Sequence, residues 1–251
     1  MKISVGWITR KRCVQFTYSV CSFVQNANNP QNLELLFSID NDDEETLDAI
    51  KQMMPFLNVS GVEVKTLIND RMGYDHMDKY HRNAGKNFTG DCLICSSDDV
   101  FCITNGWDDI VRKEVSPYLN EPALIQTQPV EDKHKYWPTM PGITRKWWDI
   151  TQNIMIYTAG DGYLHEVTEE LKLRRIKPNY EVHQISRVYS GRKGWSEVDE
   201  VHLQGRSCPD KIKDYLPEPY QKRRGHKEDD GIHTKAKDIE KLMKWKKQNE
   251  R

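Results

Sequence analysis

Residues 91–109 read DCLICSSDDVFCITNGWDD, and the topology of the chain turns on them. Leu93, Ile94 and Cys95 form an apolar run, which Ser96, Ser97, Asp98 and Asp99 stop before Val100, Phe101 and Ile103 resume it. A short apolar run closed by polar residues predicts a buried strand whose carboxyl end carries two adjacent acids. Working upstream, HMDKYHRNAGKNF predicts a helix, VEVKTLI a strand, and EETLDAIKQMM a helix with Leu47, Ile50 and Met54 on one face. LELLFSID predicts a strand ended by Asp40-Asn41-Asp42-Asp43. VQFTYSVCSFVQNA is compatible with a helix, and KISVGWI predicts a first strand running into Thr9-Arg10-Lys11-Arg12. Strands alternating with helices predict an α/β protein with a mostly parallel central sheet covered by helices on both faces.

Downstream, PALIQTQPV predicts a strand, GYLHEVTEELKL a helix with Leu164, Val167 and Leu171 on one face, and YEVHQI a short strand. The polar stretch QKRRGHKEDDGIH has the composition of a linker. AKDIEKLMKWKK follows as a basic amphipathic helix with Ile239, Leu242, Met243 and Trp245 among lysines. The chain therefore divides into a domain-sized unit, 1–218, and an appendage, 219–251. Net charge divides at the same place. Residues 219–251 hold 11 Lys/Arg against 6 Asp/Glu, although the whole chain carries a net charge of −1.

The length of 251 residues is enough for a full core, and 37% hydrophobic with 30% charged residues excludes a disordered chain. No apolar run reaches the roughly 18 residues that suggest a membrane span. MKISVGWITRKRC lacks the features of a secretory leader, so the cytoplasm is the expected compartment. Cys92 and Cys95 form a CxxC, but on a strand residues three apart face opposite ways, which favours buried thiols over a metal or redox pair.

Ligands of open α/β sheets bind beyond the carboxyl ends of the strands. Thr9 and Arg10, Asp40 and Asp42, and Asp98 and Asp99 all fall at such ends. Adjacent carboxylates repel unless a cation neutralises them, and a hard divalent ion bridged to a diphosphate does so with one or two carboxylates. Taken alone, the acids could equally cap the next turn.

The combination RNAGKNFTGDCLICSSDD resembles the central signature of family 2-like glycosyltransferases of the GT-A fold. Arg82-Asn83-Ala84-Gly85, Gly90-Asp91, the strand at 92–95 and Asp98-Asp99 match that signature in order and spacing. ISVGWITRKR resembles the family's first strand and LELLFSIDNDDEET its second. The resemblance covers residues 3–110 well and 111–190 loosely. It implies the nucleotide-diphospho-sugar transferase fold and a metal-dependent transfer of a sugar from a nucleotide sugar, a UDP-sugar above all, to an acceptor hydroxyl. Thr9, Arg10, Asp40, Asp42, Asn83, Ser97, Asp98 and Trp107 would then bind the donor. Asp99 and His183 would hold Mn²⁺ or Mg²⁺. Ser97 stands where the family's first DxD acid does, so the working pair is either Asp98-Asp99 or Ser97-x-Asp99.

Asp161, flanked by glycines in TAGDGYLHEV, is either a helix N-cap or the base that takes the acceptor proton, and one residue can do both. Trp107 has core packing as its other reading, and so does His183. Trp137 and Trp147-Trp148 read as an acceptor platform or a hydrophobic cluster, and His202 is a weaker ligand. Compact enzymes of this kind occur in bacteria and phages, where acceptors include surface polysaccharide, lipid-linked sugar and hydroxymethylated pyrimidines in DNA. The basic appendage fits DNA, an anionic membrane surface or simple docking on the body. A non-catalytic nucleotide-sugar binding module is the alternative of another class. A nucleotidyltransferase is disfavoured, because WITRKRCVQ lacks a glycine-rich loop.

Overall fold

The computed structural model describes residues 1–73, 76–130, 139–155, 160–184 and 235–249. The strands are β1 (Ile3–Ile8), β2 (Leu33–Asp40), β3 (Glu63–Asn69), β4 (Cys92–Ser96), β5 (Val100–Cys102), β6 (Ala123–Thr127), β7 (Met140–Thr144), β8 (Arg174–Ile176) and β9 (Val182–Gln184). The helices are α1 (Cys13–Gln25), α2 (Glu44–Ser60), α3 (Met77–Asn87), α4 (Trp107–Val115), α5 (Arg145–Thr151), α6 (Gly160–Leu171) and α7 (Lys235–Asn249). β1–β4 and β6–β8 form one sheet in the order β3-β2-β1-β4-β7-β6-β8, and β5 pairs with β9 in a separate ribbon. β7 is antiparallel to both its neighbours, and the remaining pairings of the main sheet are parallel. The α/β, mostly parallel sheet expected from the alternation is present.

β2 is buried at every position and β1 at all but its last, as befits central strands covered on both faces. Successive residues alternate between two cores. Leu35, Phe37, Cys92 and Ile94 pack with Phe16, Phe23, Leu57 and Trp107 of α1, α2 and α4. Leu36, Leu93 and Cys95 pack with Phe88, Trp147, Trp148, Tyr163 and Leu164 on the other side. Cys92 and Cys95 thus lie in different layers as free thiols, and burial pushes both up to about 12. The CxxC forms no metal or redox pair.

α2 begins at Asp43, whose side chain accepts the Thr46 N–H at 3.3 Å, and ends at Gly61 with φ 75°. It runs on through Pro55, past the end expected from its apolar period. Gly85 lets α3 meet α5. A Cβ built there would lie 2.2 Å from the Trp148 ring, so only glycine fits.

The layers also place the site. α1 leaves β1 for one face of the sheet, whereas Phe88 at the end of α3 packs on the other. β1 and β4 are adjacent in the sheet. The connections therefore diverge between β1 and β4, and the crevice at their carboxyl ends is where a doubly wound sheet receives a ligand.

Candidate active site

Three polar knots surround that crevice. At the end of β4, Asp98 is 5% exposed and both its oxygens are engaged. The Thr9 hydroxyl donates to Oδ2 at 2.7 Å, and the Arg12 guanidinium pairs with Oδ1 at 2.8 Å. Burial pushes its carboxyl above the usual range, Arg12 opposes that, and the adjacent Asp99 adds to it. Next to it, Asp99 accepts the Ser97 hydroxyl at 2.6 Å and the Gln184 amide at 3.1 Å. At the end of β2, Asp40 is 4% exposed, accepts the Tyr80 hydroxyl, and pairs with Arg10 at 3.1 Å. Arg10 also forks onto the exposed Asp42, and Arg71 stands 4.0 Å from the same carboxylate.

The loop between β1 and α1 carries the basic residues and is held in a strained form. Lys11 has φ 53°, a conformation unfavourable to side-chain-bearing residues, and its N–H donates to Asp43 at 2.8 Å. A second support lies beneath the acids. Trp7 donates to Ser19 at 2.9 Å, and the Ser19 oxygen touches the carbonyls of Ser97 and Val100, fixing the turn that presents Asp98 and Asp99.

The structure therefore brings together Thr9, Arg10, Asp40, Asp42, Ser97, Asp98 and Asp99. Asn83 differs from expectation. Its amide donates to Asn69 of β3 at 2.7 Å, and its oxygen accepts from Asn87 of its own helix at 3.0 Å. Trp107 also departs. It is wholly buried, donates to the Phe23 carbonyl at 2.8 Å and offers no surface to a sugar. Trp147 and Trp148 are core residues, not a platform. His183 pairs with Phe101 in the β5–β9 ribbon. The β9 side chain that reaches Asp99 is its neighbour Gln184, and strand alternation directs His183 to the opposite face. Asp161 occupies the first turn of α6. Trp137 and His202 lie outside the described residues.

Sequence reasoning missed Arg12, Tyr80, Arg71 and Gln184. Arg12 was visible within TRKR, but no spacing rule pairs it with an acid 86 residues away. Tyr80 sits in an unremarked helix position, and Gln184 carries no charge to draw notice.

Among the described residues no group of three His, Cys, Asp or Glu side chains forms a metal cage. The donors at Asp99 are hard oxygens beside a crevice, with Asp98 neutralised by Arg12. That set fits an ion taking most of its ligands from phosphate and water, as Mg²⁺ and Mn²⁺ do in phosphate sites.

No protein-family model matches the chain, and no curated protein does. Solved structures do. S. aureus TarS 1–349 aligns with a TM-score of 0.56 and 14% identity over 100% of this chain and 92% of that one. Against a longer S. aureus TarS structure, the alignment covers 76% of this chain and 38% of that one. The mannosyltransferase PcManGT from Pyrobaculum calidifontis, in complex with GDP-Man and Mn²⁺, aligns with a TM-score of 0.60 and 12% identity over 78% and 59%. Glucosyl-3-phosphoglycerate synthase from Mycobacterium tuberculosis, in complex with Mn²⁺, UDP and phosphoglyceric acid, aligns with a TM-score of 0.51 and 11% identity over 81% and 75%. With the sheet order, these likenesses define the class of architecture: the chain has the GT-A fold. Among the described residues no helix is long and apolar enough to cross a membrane.

Proposed function

We propose that the protein is a metal-dependent glycosyltransferase that moves a sugar from a nucleoside diphosphate sugar, a UDP-sugar, to an acceptor hydroxyl. The observation that carries this reading is the gathering of Thr9, Arg10, Arg12, Asp40, Asp98 and Asp99 at the carboxyl ends of β1, β2 and β4. The solved structures similar in fold support it, since their own complexes hold UDP-GlcNAc, GDP-Man or UDP, two of them with Mn²⁺.

Each group then has a task set by its environment. Asp40, clamped by Tyr80, accepts the N–H of the base. Arg12 is locked to buried Asp98, and breaking such a pair is costly. The Arg10–Asp42 contact involves a carboxylate 45% exposed, and a surface pair of that kind contributes little. Arg10 can therefore exchange its Asp42 contact for an incoming diphosphate at small cost, while its pair with buried Asp40 keeps it at the crevice. Asp99, with Ser97 and Gln184 orienting it, holds the cation, while Asp98 organises the basic loop. When bound, the divalent ion supplies Lewis-acid neutralisation of the departing diphosphate. Asp161 takes the proton of the acceptor hydroxyl as general base, which accords with an inverting displacement.

The basic excess of residues 219–251 supports a polyanionic acceptor, DNA bearing hydroxymethylated pyrimidines, as in a phage DNA-modifying enzyme acting in the host cytoplasm. Carbohydrate and lipid-linked acceptors are the other outcome of the same assay. UDP release is measured from UDP-glucose and UDP-GlcNAc, with Mn²⁺ or EDTA, for the protein and for Asp99→Asn. Mn²⁺-dependent release lost in the variant is expected. Donor binding without release, with or without 5-hydroxymethyl pyrimidine DNA or saccharide acceptors, would instead identify a binding module.

A further inference from the structure

The C-terminal helix α7 carries a feature that docking alone does not require. It packs against α5 and α6 and turns Leu242 wholly inward, with Ile239 partly covered. Beside them on the inward face, Asp238 is 0% exposed. Its Oδ2 accepts the Tyr163 hydroxyl at 2.6 Å and the Asn153 amide at 3.0 Å. Among the described residues its Oδ1 accepts no hydrogen bond, and the Lys241 ammonium stands 3.5 Å away. Burying a carboxylate is expensive, and an apolar side chain would dock the helix at lower cost. What a buried polar anchor adds is a single orientation. The groups it orients are Asn153, in the turn after α5, and Tyr163, two residues beyond Asp161 in α6. Other contacts clamp the same helix along its length. Lys235 pairs with Glu166 at 3.0 Å, and Lys246 caps the Leu171 carbonyl at 3.0 Å.

We infer that Asp238 is a positioning residue for sugar transfer. Through it, the C-terminal helix sets the first turn of α6 and hence the place of Asp161 relative to the donor crevice. The inference rests on the reading of Asp161 as the base. The appendage thereby acts as part of the catalytic unit, and its lysines at 235, 241 and 246 serve the clamp.

The test uses the full-length chain with Asp238→Ala, Asp238→Asn, Tyr163→Phe and Asp161→Asn. Turnover is read as UDP release from a UDP-sugar with Mn²⁺. Hydrogen exchange is followed at the amides of Leu164–Val167, which donate to the carbonyls of 160–163 in the helix. Asp238→Ala and Tyr163→Phe are expected to lower kcat by ~10–100-fold, the scale of a misplaced catalytic group. Donor KM should stay within about twofold. Both variants should speed exchange in α6 while β1 and β4 stay protected, and Asp238→Asn, which still accepts from Tyr163, should recover most of the rate. Asp161→Asn should abolish turnover without changing exchange. Folded Asp238→Ala and Tyr163→Phe with full kcat would overturn the inference and leave the base intact. Full kcat in Asp161→Asn would remove the base reading and the inference with it. If Asp238→Ala does not fold, Tyr163→Phe, which keeps all carbon packing, decides alone.

Discussion

Asp98 and Asp99 are neighbours in the chain with opposite demands placed on them. Asp98 pairs with the partly buried Arg12 and receives Thr9, so Asp98→Ala removes two hydrogen bonds to a buried carboxylate and should destabilise by about 3 kcal/mol in urea unfolding. Among the described residues Asp99 receives only neutral donors, Ser97 and Gln184. Asp99→Ala should cost about 1–2 kcal/mol, yet abolish Mn²⁺-dependent UDP release. An equal loss of stability in both variants would show that the two acids share one role. Gly85 gives a second test at this scale. With Trp148 carbons 2.2–2.7 Å from a built Cβ, Gly85→Ala should overpack the α3–α5 contact by about 1–3 kcal/mol, read as a lowered Tm.

At the scale of the element, β2 carries an acid at each end with different work. Asp40 faces the crevice. Glu34, wholly buried at the other end, accepts from Lys65 at 2.6 Å, from Ser4, and from the Thr89 amide and hydroxyl at 2.7 Å each. Burial pushes its carboxyl up, but Lys65, Ser4 and Thr89 outweigh burial and hold it at about 2, against an ordinary 4.5. A carboxyl lowered by folding binds its proton more tightly in the unfolded chain. Its contribution is therefore complete above about pH 4.5 and is lost as pH falls from there toward 2. Acid unfolding monitored by circular dichroism should show that limb, and Glu34→Gln should flatten it while lowering stability at neutral pH.

At the scale of the whole molecule, the basic appendage divides its charges. Lys241 and Lys246 bond carbonyls of the body, whereas Lys244 and Lys247 are exposed on α7. If DNA is the acceptor, its affinity falls linearly with the logarithm of salt, and replacing both exposed lysines by glutamine should reduce that slope by about 2. UDP release from the sugar nucleotide alone should be unchanged, because neither lysine touches the crevice residues or the α6 clamp. A salt-independent affinity, unaltered in the variant, would point to a neutral saccharide acceptor.

The order of elements through β4 and the strand ends that carry Thr9, Asp40, Asp98 and Asp99 were legible in the chain, because hydrophobic period and its interruption are local properties; β5, α4, β7, α5 and β8 were not. The need for glycine at 85 showed as part of a motif, though its reason, the Trp148 ring, did not. What each polar group holds was decided only by the tertiary structure. Arg12 finds Asp98, Tyr80 finds Asp40, Gln184 finds Asp99 and Asp238 finds Tyr163 across separations of 40 to 86 residues. Trp107, with the residue type a donor pocket needs, turned instead into the packing. A side chain's type sets which bonds it can make. Strand register and helix approach determine which partner lies within 3 Å, and neither is written in the spacing of residues along the chain.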